Sequence, residues 1–221
     1  MSDIRRYKIL SVGNVLSAEG FGWMKNRLVC VDLFSGLGGF SEAMLQRDWD
    51  LVRIDNEEGF SHIPKTMIAD VSFLTPDDFP QKPDLVLASP PCTHFSSASR
   101  WRYWKDGFPA PEVKESVELV KYTLDLIKKL DPDYWVLENP RGMLRKVIGP
   151  PVVTTYWGSW GMSYLKATDL WGKLPVIDWP ELNRSAKDSL LDRVSAPALR
   201  SLVPFAFSEA LAIAIETVNL E

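Results

Sequence analysis

Leu28-Val29-Cys30-Val31-Asp32-Leu33-Phe34-Ser35-Gly36-Leu37-Gly38-Gly39 is the stretch that decides the fold. A short, nearly unbroken apolar run of this kind reads as a strand buried on both faces, and the glycines behind it read as a tight turn. Residues 40–47 (Phe40 to Arg47) then have helical character. A strand, a glycine turn and a helix in immediate succession form the first half of a βαβ unit.

The rest of the chain repeats that alternation. Leu51 to Ile54 is a second strand closing on Asp55, Lys65 to Ala69 a third closing on Asp70, Asp84 to Ala88 a fourth and Tyr134 to Leu137 a fifth. Between the last two, Val113, Val117, Val120, Leu124 and Ile127 recur at steps of four and three, which predicts an amphipathic helix. Pro111 and Glu112 suit its first turn and Asp131-Pro132 its end. Pro204 to Val218 predicts a closing helix. The expected fold class is α/β: a doubly wound, mostly parallel Rossmann-like sheet with helices on both faces. In such sheets ligands bind beyond the carboxyl ends of the strands. Gly36, Asp55, Asp70, Cys92 and Glu138 all follow or close strands, which predicts one site. Residues 1–27 fit the alternation poorly and are expected to form a hairpin or an arm.

Composition narrows the partners. The 221 residues are 46% apolar with a formal charge of −4, which suits one domain with a full core and excludes a wholly basic nucleic-acid coat. Two cysteines (Cys30, Cys92) and two histidines (His62, His94) are too few for a disulfide scaffold or a four-ligand zinc site, so no metal is expected. No apolar segment near the start reads as a signal peptide. The longest uncharged stretch, Ile148 to Leu165, is broken by Pro150, Pro151, Gly158 and Gly161 and is no membrane span. A cytoplasmic protein, in a bacterium or a phage-infected host, is expected.

Two groups of residues carry chemistry. A glycine turn lets the backbone approach a ligand closely. An acid about 20 residues on suits ribose hydroxyls, and Asp55 follows Gly36 by 19. Asp70 is placed to accept from an adenine amine. Gly36-Leu37-Gly38-Gly39 does not match the dinucleotide fingerprint, so the pairing fits any adenosine-bearing cofactor. In the second group, Ser89-Pro90-Pro91-Cys92-Thr93 follows the fourth strand, and two prolines hold the next side chain in a fixed direction. Nearby His94, Arg100, Arg102 and Lys105 would favour a thiolate at Cys92. Glu138-Asn139-Pro140 ends the adjacent strand, so a carboxyl would sit beside a thiol, as a nucleophile and proton donor require. Arg100-Trp101-Arg102-Tyr103-Trp104-Lys105 interleaves cations with flat rings, suiting phosphates and exposed bases.

Asp32 to Phe40, then Asp55, Asp70, Pro91-Cys92 and Glu138-Asn139, in this order and spacing, resemble the DNA cytosine-5 methyltransferases, well over residues 28–140 and weakly beyond. The resemblance implies S-adenosylmethionine as cofactor. It would lie against Phe34, Ser35, Gly36, Leu37, Gly38, Gly39 and Phe40, with Asp55 and Asn56 at the ribose, Asp70 and Val71 at the adenine, and Pro90 and Ser201 completing the site. It also implies Cys92 as the nucleophile toward carbon 6 of a cytosine flipped out of DNA, with Glu138 steadying the ring. Pro91, Ser96, Arg100, Arg102, Asn139, Lys166 and Thr168 would contact the substrate.

The chain departs from the family at several points. Thr93 follows Pro-Cys and Pro140 follows Glu-Asn. The Gln-x-Arg-x-Arg block is missing; Lys166-Ala167-Thr168-Asp169 stands there, and an ammonium does not replace a guanidinium fork. About 30 residues separate Gly172 from Ser201-Leu202-Val203-Pro204, too few for a separate recognition domain. The expected organisation is an arm (1–27) and a catalytic domain (28–221) with a rudimentary or absent recognition region at about 173–200, as in small phage-type relatives. Sequence readout would then be weak, supplied by a partner subunit or second copy, or absent. Other readings stay open: a methyltransferase for an exocyclic amine, a decayed enzyme that binds nucleic acid or a partner, or an enzyme of free cytosine nucleotides.

Overall fold

The computed structural model describes residues 27–182, 199 and 201–219. The expected N-terminal arm, apart from Arg27, and most of the 173–200 region lie outside them. Nine strands are present among the described residues: β1 Val29–Leu33, β2 Asp50–Asp55, β3 Thr66–Ile68, β4 Leu85–Ala88, β5 Trp104–Lys105, β6 Phe108–Pro109, β7 Tyr134–Pro140, β8 Val153–Tyr156 and β9 Ala167–Lys173. The helices are α1 Glu42–Gln46, α2 Arg100–Tyr103, α3 Lys114–Leu130, α4 Arg145–Ile148 and α5 Phe205–Val218, with several single 3-10 turns between.

Seven strands form one sheet in the order β3-β2-β1-β4-β7-β9-β8. The pairs from β3 to β7 are parallel, whereas β9 runs antiparallel to both β7 and β8. The expected mostly parallel α/β sheet is therefore present, but the alternation is not strict: only 3-10 turns link β2 to β3 and β3 to β4, and after β7 the strands run antiparallel. Chain order reverses beside β1, whose two neighbours are β2 and β4. That junction is the topological switch point, where sheets of this class open a crevice.

The core lies in two layers. Val31, Leu33, Val86 and Leu137 pack on one face with Val120, Leu126 and Ile127 of α3. Cys30, Leu87 and Val136 pack on the other with Ala43, Met44, Phe207 and Leu211. The α3 periodicity is realised: Val120, Thr123, Leu126, Ile127 and Leu130 are buried. Truncating one such residue to alanine typically costs about 2–5 kcal/mol. The helix stops at Asp131, in the left-handed region at φ 49°, and Pro132 follows. The 94–110 loop is more ordered than the sequence suggested, folding into α2 and the antiparallel β5–β6 ribbon. No described helix is long and apolar enough to cross a membrane.

Candidate active site

The β1 turn is shaped for a ligand. Phe34, Gly36 and Gly38 all have positive φ, at 60°, 51° and 76°. A β-carbon at Gly36 would meet no atom within 4 Å, so the space in front of this backbone is open. Asp55, at the end of β2, ties the turn down: its carboxylate accepts from Gly36 N at 2.9 Å and from Glu57 N at 3.0 Å. Each oxygen keeps a lone pair for a diol. Asp70 accepts through Oδ1 from both the backbone and the hydroxyl of Ser72, at 2.9 and 2.7 Å. Its other oxygen is thereby aimed by a rigid local turn.

Phe34, Asn56, Asp70, Val71 and Pro91 line a cleft of about 720 Å³, whose far wall is the Glu115–Asp125 face of α3. This volume falls in the range of small-molecule sites. The buried hydroxyl of Ser35 and Oδ1 of Asp32 have no hydrogen-bond partner in the protein. Orphaned polar atoms, a glycine cradle and two anchored carboxylates suit an adenosine sulfonium. Ser201 is exposed, but Leu202 and Val203 beside it pack on Gly39, where a β-carbon would come within 2.9 and 3.0 Å of them. One expected wall residue behaves otherwise: Phe40 is buried, its ring 6.1 Å from that of Phe207, so the ring belongs to the core.

The Pro-Cys turn follows β4 and Glu138 and Asn139 lie near the end of β7, the two strands being paired in parallel with Ala88 opposite Leu137. This register puts Ser89 and Glu138 side by side and brings the Pro-Cys turn to the Glu-Asn strand end. Three further ties hold the two segments together. Asn139 Nδ2 donates to Pro90 O at 2.9 Å, Met143 N donates to Phe95 O at 2.6 Å, and Ser96 bridges Gly142. Cys92 is half-buried, Cys30 is fully buried, and neither forms a disulfide. Burial pushes the Cys30 thiol well up, with the Asp32 charge adding to it, so Cys30 is an inert core residue.

Glu138 is buried, and desolvation raises its carboxyl above the usual range, with Asp169 acting in the same sense. Lys166 opposes the shift: its ammonium lies 3.7 Å from Glu138 Oε1, and both side chains are more than nine-tenths buried. Lys166 is thus not solvated. Oε1 of Glu138 and Oδ1 of Asn139 have no hydrogen-bond partner in the protein. A carboxyl that tends to keep its proton, with an unmet oxygen beside it, can donate to a ring nitrogen. Thr168 is fully buried and leans on Lys166 O at 3.5 Å.

Ser96 shares its hydroxyl with Ser99 at 2.9 Å within the turn after Cys92. Arg100 and Arg102 are exposed on α2, Arg102 lying 5.2 Å over the Tyr103 ring. That ribbon is anchored by Trp104 Nε1, which donates to His94 O at 2.6 Å, while His94 Nδ1 lies 2.6 Å from Ser116 Oγ. Sequence reasoning missed Gly142, Arg53 and the buried Asp169, which accepts from Arg145 and, at 2.8 Å, from Thr154.

Comparison with known proteins agrees with this geometry. A protein of frog virus 3 (isolate Goorha), described as a DNA (cytosine-5)-methyltransferase, is 31% identical over 152 residues, covering 64% of this chain and 68% of its own length. The Type II methyltransferase M.BsuFI of Bacillus subtilis is 26% identical over 127 residues, covering 53% of this chain but only 28% of its own. A crystal structure of a protein from E. coli described as a prophage-encoded DNA modification methyltransferase superposes with a TM-score of 0.51 at 19% identity. It covers 74% of this chain and 54% of that one, and shows a shared fold. Residues 28–150, from β1 through α4, match the family described as C-5 cytosine-specific DNA methylase. The chain belongs to that family, whose members take their methyl group from S-adenosylmethionine.

Proposed function

We propose that this chain methylates carbon 5 of cytosine in DNA through a transient bond between Cys92 and the base. The observation that carries the reading is the joining of the Pro-Cys turn to the buried Glu138 on β7, beside a cleft lined by Phe34, Asp70 and Pro91. S-adenosylmethionine supplies an electrophilic methyl group; the task of the chain is to make carbon 5 able to accept it. The Cys92 thiolate bonds to carbon 6 and breaks the ring's aromaticity, while Glu138 gives a proton to ring nitrogen 3. After carbon 5 has been methylated, loss of its proton restores the double bond and expels the thiolate, and nitrogen 3 returns its proton to Glu138. Covalent catalysis divides one hard step into easier ones.

The cytosine must leave the stack to reach a half-buried thiol. Arg100 and Arg102 are exposed beside Trp101, a pattern suited to phosphates and an unstacked base. The short span between β9 and α5 supports a reading in which sequence preference is weak or comes from a partner subunit or a second copy. DNA carrying 5-fluorocytosine, incubated with the protein and cofactor, tests the mechanism. Fluorine does not leave as a proton does, so a denaturation-resistant adduct is expected with the wild type and none with Cys92→Ala. Methyl transfer to an exocyclic amine, without an adduct, would overturn the assignment.

A further inference from the structure

Arg53 stands in the middle of β2 with no exposed surface, the largest charged side chain in the core. Burying a guanidinium costs several kcal/mol unless its donors are met. Here four bonds are made, three of them to the segment behind the β1 turn and one to the loop before β3. Nε donates to Ser41 Oγ at 2.8 Å, one terminal nitrogen to Pro64 O at 3.1 Å, and the other to Gly38 O and Glu42 Oε2, both at 2.9 Å. Ser41 in turn donates to the buried carboxylate of Asp32 at 2.6 Å. Gly38 has no room for a side chain because the guanidinium is underneath: a β-carbon there would lie 2.5 Å from Arg53 Cζ.

We infer that Arg53 is the positioning residue of the cofactor turn, holding residues 38–42 in the shape that receives the methionine half of S-adenosylmethionine. This rests on the proposed function, in which S-adenosylmethionine lies against the turn from Phe34 to Phe40. The nucleoside half has its own anchors: Asp70, fixed by Ser72, and Asp55, which accepts from Gly36 N at the front of the turn and from Glu57 N and is not hydrogen-bonded to Arg53. A mid-strand arginine is otherwise an expensive choice for a β2 position flanked by Val52 and Ile54. Its donors reach the carbonyl of Gly38 and the side chains of Ser41 and Glu42, all in the segment that leads from the turn into α1.

The test separates the two halves of the ligand. Binding of S-adenosylmethionine and of adenosine is measured by calorimetry for the wild type, Arg53→Lys, Arg53→Met and Glu42→Gln, with thermal melting as the check of folding. Arg53→Met is expected to weaken S-adenosylmethionine binding tenfold or more while adenosine binding changes less than threefold. Arg53→Lys, which keeps the charge but not the fork, is expected to fall between. Glu42→Gln removes one partially exposed arm and keeps the core intact; a two- to fivefold loss, again for S-adenosylmethionine only, is expected even if Arg53→Met fails to fold. Equal losses for both ligands, or no loss in Glu42→Gln and Arg53→Lys, would overturn the inference. A wild type that binds adenosine but not S-adenosylmethionine would overturn the cofactor reading itself, and the inference with it.

Discussion

Lys166 Nζ faces Glu138 Oε1 across 3.7 Å in a pocket where both side chains are buried. The pair fixes how Glu138 titrates. Desolvation raises the Glu138 carboxyl and Lys166 lowers it, so Lys166→Met is expected to push it further up. A carboxyl whose folded pKa exceeds the unfolded value contributes stability below the unfolded pKa and loses it as pH rises through the folded one. The melting temperature of Lys166→Met should therefore fall more than that of the wild type between about pH 5 and 8. In the same variant the alkaline limb of the pH–rate profile should move upward, and kcat/KM should drop about tenfold or more through lost orientation. Thermal scans and initial rates across pH check both. An unchanged limb would remove Glu138 as the group that acts protonated.

Gly142 is where the two halves of the chemical site touch. A β-carbon there would lie 2.1 Å from Phe95 O, which must be close because Met143 N donates to it. Gly142→Ala is expected to cost about 1–3 kcal/mol as an overpacking change. It should also part the Cys92 turn from the Glu138 strand end, lowering methylation tenfold or more, while S-adenosylmethionine affinity stays within about twofold, because Asp55 and Asp70 are remote from it in the fold. A rate loss fully explained by weaker cofactor binding would contradict the role.

What could be read from the sequence was whatever depends on local pattern. The apolar runs gave β1, β2 and β4, the step of three and four gave α3, and of the two acids closing strands Asp70 lines the cleft whereas Asp55 does not. What depends on contacts far apart in the chain was not legible. Nothing in Leu51-Val52-Arg53-Ile54 distinguishes a buried arginine with four acceptors from one at a solvent edge. Likewise, Arg145 and Asp169 are 24 residues apart and meet only because β9 turns back antiparallel along β7. Lys166 was visible as a candidate, but its burial follows from that same reversal. Phe40 misled because a motif assigns positions, whereas the pleat and the helix that follows decide which way a ring points.

Trp101 is 83% exposed on α2, after the Cys92 turn, between two exposed cations, Arg100 and Arg102. Removing so exposed a ring should change stability by no more than about 0.5 kcal/mol. If it stacks on an unpaired base, Trp101→Ala loses about 1–3 kcal/mol of DNA binding, roughly a five- to hundredfold weakening. Arg102→Ala should instead weaken binding evenly across sequences and reduce the salt slope by about one. Fluorescence titration at several salt concentrations distinguishes the two. Unaltered DNA affinity in both variants would place the contact surface elsewhere.

Asp55 joins the turn to the second strand by accepting from Gly36 N and Glu57 N, so its loss acts on the ligand and on the backbone together. Asp55→Ala leaves two backbone donors unmet at a partly buried site, at a cost of about 1–3 kcal/mol. Adenosine and S-adenosylmethionine should both bind at least tenfold more weakly, since the lost carboxylate serves the nucleoside they share. Asp55→Asn keeps one oxygen for one of the two donors and should lie between wild type and Asp55→Ala for both ligands. The parallel loss is the opposite of the split expected for Arg53, although the two residues are only two positions apart on β2. Calorimetry with both ligands on both variants therefore reads the strand as two devices, one gripping the sugar and one shaping the turn; a split in Asp55→Ala would show that its carboxylate works chiefly through the glycine turn rather than on the sugar.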